Sequence, residues 1–290
     1  MQSDEVIQLG QFIPLHYHHH MLGDDARTSA FKSALSHVVP VGASVLEFGS
    51  GTGVLSFFAA QRAAHVTAVE YNPALVQASR RILKENGSEN KVTVLQADAS
   101  AFTPEEPVDV VICEMLHSAL LREKQLEVIR KFKLRYVARF GSLPRFVPEA
   151  TILAAQPLSQ DYDYQGYKAA VPLFQDAGAQ SSRSKDRSAP VSYATVDYRQ
   201  AIPEKFEAKI RFEILDKSEI NAIRFITKNL LAILPEERRS IDWHNQHLVL
   251  PLQSPIQAKA GNTMEIQFAY DAGGPIEMLG ESMQCNILQN

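Results

Sequence analysis

The sequence predicts an α/β domain with a doubly wound parallel sheet over residues 1–148, followed by a β-barrel or β-sandwich domain over residues 149–290. In the stretch Ala43–Gly53, an apolar run of strand type breaks into a glycine-rich turn that leads directly into a helix-compatible segment. Strand and helix patterns then alternate as far as Cys113, as in parallel α/β sheets. After Thr151, short β-rich runs separated by Pro, Gly and Asn replace the helical periodicity.

Length and composition indicate a globular protein without unusual charge. The 290 residues carry a formal net charge of -4, so nothing in the overall electrostatics favours nucleic-acid binding. The segment Met1–Gly10 lacks the basic and apolar regions of a signal peptide, and no apolar run approaches membrane-spanning length. Cys113 and Cys285 have no metal-ligand spacing, which favours reduced thiols in a cytoplasmic protein.

The N-terminal region contains the histidine cluster His16–His20. Its histidines are mostly adjacent, whereas metal ligands must converge from several directions, so we expect a solvated segment or a substrate lid and no metal. Asp24 and Asp25 are placed to begin a helix, where carboxylates complement the positive end of the helix dipole. Arg27 follows within the first turn, and surface solvation is its simplest role.

Three glycines, Gly49, Gly51 and Gly53, alternate in the first turn of the predicted sheet. Glycine is the residue that adopts positive φ or approaches a ligand closely at little cost. Because the turn lies between a strand and a helix N-terminus, free N–H groups there can hold a polar ligand. The spacing is neither that of a dinucleotide site nor that of a P-loop, so the turn predicts a nucleotide-type site of another kind.

The second strand, His65–Glu70, ends in an acid 21 residues after Gly49. An acid at this distance can accept the ribose hydroxyls of an adenosine. A helical pattern over Ala74–Glu85 and a third strand over Val92–Ala97 follow, and Asp98 comes next, as either a ligand residue or an ordinary turn aspartate.

The fourth strand, Val108–Cys113, is nearly all apolar and runs into a loop bracketed by Glu114 and Glu123. Open α/β sheets bind ligands at this end of their strands. Because burying an acid is costly without a partner, two acids in one place indicate a cationic substrate.

These motifs resemble a known family. Glu47-Phe-Gly-Ser-Gly-Thr-Gly53 resembles motif I of the class I S-adenosylmethionine (SAM) methyltransferases, whose sheet is Rossmann-like. Glu114 and Glu123, nine residues apart, resemble the double-glutamate loop of the protein arginine methyltransferases. The resemblance implies a SAM site that includes Glu47, the three glycines and Glu70, with Asp98 near the adenine amino group and both loop glutamates on the substrate guanidinium.

The resemblance extends to both ends of the chain. It implies that Arg27 binds the SAM carboxylate and that Asp24 lies near the substrate. Ser240–Trp243 is similar to the family's Thr-His-Trp loop, with Asp242 in place of the histidine as another carboxylate for the site. Trp243 is either a structural ring or a wall for the guanidinium. His117 lies in the double-glutamate loop where the family has Gly in Trp-Met-Gly-Tyr, and the family's aromatic N-terminal motif is reduced to Phe12.

The second half is predicted to contain six strands: Thr151–Ala155, Val191–Gln200, Phe206–Ile214, Ile223–Thr227, His247–Leu252 and Met264–Tyr270. The polar stretch at 158–190 is either a disordered loop or a short form of the family's dimerisation arm, and the second interpretation implies a homodimer.

We therefore hypothesise transfer of the SAM methyl group to a guanidino nitrogen of arginine, in a protein, a peptide or the free amino acid, with other small guanidino or amino compounds as further acceptors. Glu114 and Glu123 would orient the guanidinium. Glu123, Asp24 and His117 are the candidate proton acceptors. The alternatives are a small-molecule N- or O-methyltransferase of the same fold and a non-catalytic SAM-binding scaffold.

Overall fold

A computed structural model describes residues 15–178 and 181–288. The segment Met1–Gly10 and Phe12 lie outside these residues. Within the described ranges, no helix is both long enough and apolar enough to cross a membrane.

The first half of the chain is an α/β unit built on a five-stranded parallel sheet with the order β3-β2-β1-β4-β5. The predicted doubly wound α/β architecture is confirmed. Its elements are α1 (Leu15–Gly23), α2 (Asp25–Val38), β1 (Ser44–Phe48), α3 (Val54–Ala59), β2 (His65–Glu70), α4 (Pro73–Glu85), β3 (Val92–Gln96), β4 (Val110–Cys113), a 3-10 turn (Ser118–Leu120), α5 (Gln125–Phe140) and β5 (Arg145–Val147).

Local sequence signals explain where the helices begin and end. Asp24 is the N-cap of α2, and its carboxylate accepts a hydrogen bond from the backbone N–H of Arg27 at 2.8 Å. Helix α5 ends at Gly141, which has a φ of 81°. Helix α3 ends at Ala59, because the N–H of Arg62 closes a tighter turn by donating to the carbonyl of Ala59 at 3.0 Å, and Arg62 Nε donates to the carbonyl of Val39 at 2.7 Å.

The second half consists of antiparallel sheets. A seven-stranded sheet has the order β10-β6-β13-β15-β9, with β11 also on β6 and β14 also on β13, and a three-stranded sheet has the order β12-β16-β17. The elements are β6 (Ala150–Gln160), β7 (Asp163–Tyr164), β8 (Tyr167–Lys168), β9 (Leu173–Gln175), β10 (Ser184–Asp186), β11 (Val191–Asp197), β12 (Lys205–Glu213), β13 (Ser218–Leu234), a 3-10 turn (Pro235–Glu237), β14 (Arg239–His244), β15 (His247–Ala258), β16 (Thr263–Asp271), α6 (Ile276–Ser282) and β17 (Gln284–Leu288).

Each of the six strands predicted in the second half coincides with part or all of an observed strand. The interpretation of the stretch 158–190 as disordered is wrong for its described residues. Strand β9 pairs with β15, β10 pairs with β6, and β7 and β8 form a small hairpin. Strands such as β9 and β10, which pair with residues far away in the sequence, can form in a polar segment without an alternating apolar pattern that would predict them. The division at residue 148 stays a prediction.

The two halves share a hydrophobic core. Phe48 and Phe132 from the α/β half belong to the same buried cluster as Phe225 and Phe268 from the β half. A second cluster packs Phe31 of α2 and the outer face of the parallel sheet against residues of β13 and β14. The carboxyl ends of the parallel strands are thereby held against the β half, at the position where the cavity lies.

A chain of buried polar side chains connects the β half to the loop that follows β4. The Thr151 hydroxyl lies 2.8 Å from the Tyr198 hydroxyl and donates to Asn229 Oδ1 at 2.8 Å. Asn229 Nδ2 donates to Asn245 Oδ1 at 2.8 Å, and Asn245 Nδ2 donates to the carbonyl of Leu116 at 3.0 Å. Because the side chains in this hydrogen-bond network are buried away from water, each depends on its neighbour for hydrogen bonding.

We predict that Asn229→Leu lowers the free energy of unfolding by about 2–4 kcal/mol, because the substitution removes the buried hydrogen bonds that Asn229 makes with Thr151 and Asn245. Urea denaturation measures this change. Asn286→Leu, at an exposed position of β17, is the matched control and should stay within about 0.5 kcal/mol of the unsubstituted protein. Equal unfolding free energies for the two variants would contradict the structural role of the polar chain.

Candidate active site

A cavity of about 1140 Å³ lies at the carboxyl ends of β1, β2 and β4, between α1 and α2 on one side and the β14–β15 connection on the other. Ligands bind at this edge of open α/β sheets. The predicted site residues that line it are Asp24, Arg27, Glu47, Gly49, Gly51, Glu70, Asp98, Glu114, His117, Glu123, Asp242 and Trp243. The same cavity is therefore lined both by residues predicted to bind the methyl donor and by residues predicted to bind the methyl acceptor.

The turn after β1 requires glycine where it borders the cavity. Gly49 and Gly51 have φ angles of 68° and 53°. A Cβ at Gly49 would lie 2.9 Å from Met115 Cγ, and one at Gly51 would lie 2.6 Å from His18 Cε1. The backbone N–H of Gly51 donates to a carboxylate oxygen of Glu70 at 3.0 Å, which fixes the turn against the end of β2.

Gly53 does not line the cavity. It is the N-cap of α3 with a φ of 83°, and a Cβ there would lie 2.7 Å from Ser79 Oγ and 3.0 Å from Leu83 Cδ1. Glycine is required at this position because the backbone packs closely against α4, and its effect on the ligand site is therefore indirect.

Glu47 and Glu70 are buried acids at the ends of neighbouring strands. Glu70 accepts a second backbone hydrogen bond, from the N–H of Asn72 at 2.8 Å. Glu47 accepts a hydrogen bond from the hydroxyl of Ser56 in α3. Burial raises the pKa of Glu47 to about 8, although the Ser56 hydrogen bonds oppose the shift. The sequence did not indicate Ser56, which faces Glu47 only because α3 packs against β1.

The position of Asp98 is compatible with both roles that the sequence left open, a ligand residue and an ordinary turn aspartate. One of its carboxylate oxygens accepts the backbone N–H of Ser100 at 2.8 Å, as in an ordinary turn, and its side chain also borders the cavity. The structure leaves both interpretations in place.

The double-glutamate loop brings two acids to one side of the cavity beside a buried arginine. Arg27 Nη2 forms an ion pair with Glu114, and the two side chains are only 7% and 11% exposed. Burial raises the pKa of Glu123 to about 8, and the neighbouring charge of Glu114 raises it further. One cation therefore faces two acidic side chains, and burial favours the protonated form of Glu123.

Arg27 is fixed by several contacts. Its Nη1 donates to the carbonyl of Met21 at 3.3 Å, and its guanidinium carbon lies 5.5 Å from the ring centroid of Phe31 and 6.0 Å from that of Trp243. Trp243 therefore packs beside an arginine of the chain itself as well as lining the cavity. Both of the roles that the sequence suggested for Trp243 remain open.

The double-glutamate loop has an unusual backbone. Ala119, Leu120 and Arg122 adopt φ angles of 57°, 56° and 60°, in the left-handed region that costs a residue with a side chain about 1–2 kcal/mol. Hydrogen bonds from the β half hold this backbone: the N–H of Ala119 donates to Thr227 Oγ1 at 2.6 Å, and Tyr270 donates to the carbonyl of Ala119 at 3.0 Å.

Three further contacts position the start of the loop. The N–H of Met115 donates to Gln125 Oε1 at 2.9 Å, Asn245 donates to the carbonyl of Leu116, and Ser118 Oγ donates to the carbonyl of Gln246. The sequence did not identify Gln125 and Asn245, because their partners are backbone atoms brought near by the tertiary fold.

Asp242 lines the cavity, but its carboxylate already has partners. Lys228 Nζ lies 2.6 Å from one of its oxygens, and the Ser240 hydroxyl donates to the other at 2.8 Å. A substrate cation would therefore compete with Lys228 for this side chain. The lysine precedes Asp242 by 14 residues and reaches it through antiparallel pairing of β13 and β14, which no local pattern reveals.

His117 lines the cavity as part of the double-glutamate loop. Burial lowers the pKa of its imidazole to about 4, so the ring is neutral at pH 7. It contacts the ring of Phe174 edge to face, with the centroids 5.5 Å apart. Phe174 comes from the polar stretch at 158–190, and no sequence signal placed it near the loop.

The histidine cluster forms part of helix α1, and His18 and His20 line the cavity. Among the described residues, no group of three or more His, Cys, Asp or Glu side chains could hold a metal ion.

We predict that Glu123→Gln reduces the loss of stability between pH 5.5 and pH 8. Native Glu123 holds its proton up to about pH 8, whereas the unfolded side chain loses it near 4.5, so the native state binds more protons in this window and stability falls as pH rises. Thermal unfolding midpoints at both pH values measure the effect. Glu127→Gln is the control, since Lys131 lowers the pKa of Glu127. Parallel curves for Glu123→Gln and the unsubstituted protein would contradict the assignment.

The sequence matches the model of a family described as a methyltransferase domain over residues 45–134. Over 270 residues it is 29% identical to an uncharacterized protein of Methanothermobacter thermautotrophicus, which covers 92% of this chain and 97% of the relative. It is also 30% identical over 166 residues to an arginine N(omega)-methyltransferase of Streptomyces achromogenes subsp. streptozoticus, over 56% of this chain and 45% of that protein.

The fold is similar to that of a solved structure. The Trypanosoma brucei PRMT1 enzyme-prozyme heterotetrameric complex with AdoHcy superimposes with a TM-score of 0.72, over 94% of this chain and 98% of the other. At 17% identity this likeness establishes the arrangement of a Rossmann-like sheet followed by antiparallel β structure.

Proposed function

We propose that this chain, a divergent SAM-dependent methyltransferase related to the arginine methyltransferases, methylates a guanidino nitrogen of arginine or of a similar small compound. The observation that carries this proposal is the pair of acids, Glu114 and Glu123, which line the same cavity as the glycine turn. Arg27 neutralises only one of the two acids, so a cationic acceptor can displace the proton that Glu123 holds in the free protein and pair with the resulting carboxylate.

The residues around the glycine turn fit SAM. Ser50 Oγ is buried and has no hydrogen-bond partner among the described residues, and the turn leaves no room for a Cβ at Gly49 or Gly51, which would collide with Met115 or His18. Glu70 would hold the ribose, Asp98 the adenine and Arg27 the carboxylate. When bound, SAM supplies a methyl group on a positively charged sulfur, which is open to attack by a nitrogen lone pair.

The loop acids would orient the acceptor. A guanidinium is a poor nucleophile because its lone pairs are delocalised and its proton is tightly held. Charge-assisted hydrogen bonds to Glu114 and Glu123 would draw positive charge toward the nitrogens they hold and leave electron density on the third. A fixed orientation toward the donor lowers the barrier further, because the reacting atoms no longer need to be brought together by diffusion.

Arg27 would link the two halves of the site. Its guanidinium forms an ion pair with Glu114, and it would find a second anion in the carboxylate of the donor. Sharing Arg27 between two anions weakens its hold on Glu114, which becomes a better partner for the acceptor. Donor binding should therefore favour acceptor binding.

The transferred methyl group replaces a proton on the nitrogen, and that proton needs an acceptor. Burial raises the pKa of Glu123 to about 8, so this side chain holds a proton in the free protein that a bound guanidinium would displace, and the resulting carboxylate can take up the proton released by methyl transfer. His117 has a lowered pKa, and one oxygen of Asp24 already accepts the N–H of Arg27. We assign the proton to Glu123.

The acceptor molecule and the assembly are further parts of the proposal. Arginine in a peptide and free arginine both present the required group, and a homodimer follows from the family resemblance. A cytoplasmic location agrees with the free thiols of Cys113 and Cys285. Size-exclusion chromatography with light scattering would test the dimer, and a monomer at micromolar concentration would contradict it.

We predict that Glu114→Gln and Glu123→Gln each lower kcat/KM for methyl transfer by about 10²–10³-fold while SAM still binds, because each removes one charged contact to the reacting group. Radiolabelled methyl transfer and isothermal titration with SAM measure the two effects. Glu89→Gln, an exposed acid in the turn before β3, is the control and should behave like the unsubstituted protein. Unchanged turnover in both loop variants would reduce the carboxylates to a structural role.

A further inference from the structure

We propose that strand β9 forms the outer wall of the acceptor pocket, where Phe174 packs against the acceptor and Asp176 binds a second positively charged group on it. This inference rests on the proposed guanidine methylation and specifies which acceptors the site would prefer. The preferred acceptors would be guanidino compounds that carry another cation at the end of an aliphatic stem.

Antiparallel pairing places β9 beside the cavity. Gln175 is in register with His247, and Phe174 is in register with Leu248, so β9 adds an edge strand to the seven-stranded sheet next to the β14–β15 connection. Phe174 and Asp176 both line the cavity that contains Glu114 and Glu123. A segment remote from the glutamates in sequence is therefore part of their surroundings.

Phe174 presents an aromatic ring to this space. Its side chain is 41% exposed although it belongs to a strand of the sheet, and its ring touches His117 edge to face. An exposed ring beside two acids suits a cationic or aliphatic group, because ring faces attract cations and also cover methylene groups. His117 is neutral at pH 7 and adds no repulsion to an incoming cation.

Asp176 is held in place without being neutralised. One of its oxygens accepts a hydrogen bond from Gln246 Nε2 at 2.8 Å, and the carbonyl of Gln246 accepts the hydroxyl of Ser118 in the double-glutamate loop. Among the ion pairs of the described residues, none involves Asp176. Its charge is therefore available to the acceptor, and its position is tied to the loop that holds the guanidinium.

Two sources could supply the second cation. In free arginine it is the α-ammonium group, and in a peptide it is a neighbouring lysine or arginine. Both present the same chemistry to Asp176, so the test compares them directly.

The experiment measures kcat/KM for agmatine, which has an ammonium group at the end of a four-carbon stem, and for butylguanidine, which has the stem alone. Asp176→Asn should lower the value for agmatine about threefold to fivefold and leave butylguanidine within about twofold, as expected for an exposed ion pair. Phe174→Ala should lower both about twofold to fivefold. Tyr167→Ala is the control for Phe174→Ala, since Tyr167 is an exposed aromatic residue of the neighbouring hairpin that does not line the cavity.

Titration of agmatine into protein loaded with S-adenosylhomocysteine gives a second readout that is independent of turnover. Asp176→Asn should weaken agmatine binding by the same factor, while the affinity of every variant for S-adenosylhomocysteine stays unchanged. Thermal unfolding of Phe174→Ala checks that the variant is folded, and Phe174→Leu keeps the apolar contact if the alanine variant is not.

The outcomes separate the inference from the function on which it rests. If the unsubstituted protein methylates neither compound and also leaves free arginine and arginine in a peptide unmodified, the proposed function fails and the inference fails with it. If it methylates arginine but neither of the two compounds, the inference alone is overturned. If it methylates both, but Asp176→Asn lowers both equally or neither, the inference alone is overturned. Acetylating the α-amino group of arginine, or replacing lysine by alanine beside arginine in a capped peptide, then shows which source of the second cation Asp176 recognises.

Discussion

The structure depends on two carboxylates that are kept close together, largely out of water, beside a single buried arginine. Burying such a group of charges is unfavourable, and Glu123 avoids a charge by holding its proton up to about pH 8. Arg27 stabilises the charge of Glu114 by forming an ion pair with it. The ion pair therefore balances the charge of one acid, and the proton on Glu123 keeps the other neutral.

The β half makes this arrangement possible. Ala119, Leu120 and Arg122 of the double-glutamate loop adopt left-handed φ angles. Without contacts from the rest of the protein, a loop with this backbone would relax to a less strained conformation. Thr227 and Tyr270 satisfy both backbone groups of Ala119, and Asn245 holds the loop nearer its start. The antiparallel sheets therefore act as a support that fixes the geometry of the acids, and they are more than a separate surface for substrate binding.

Local patterns predict the geometry around the glycine turn well, because this region is built from residues close in sequence. The positive φ angles of Gly49 and Gly51 and the position of Glu70 follow from one strand, one turn and the next strand. The acceptor side depends on pairing across long separations. Lys228 reaches Asp242, and Phe174 reaches His117, only once the antiparallel strands are in register, so the sequence could not show either contact.

Methyl transfer to a guanidino nitrogen can be observed by nuclear magnetic resonance of the product formed from SAM with a ¹³C-labelled methyl group and arginine with ¹⁵N-labelled guanidino nitrogens. We expect direct coupling between the new methyl carbon and a labelled nitrogen. A labelled methyl group on the α-amino or carboxyl group, or no transfer to arginine either free or within a peptide, would contradict it.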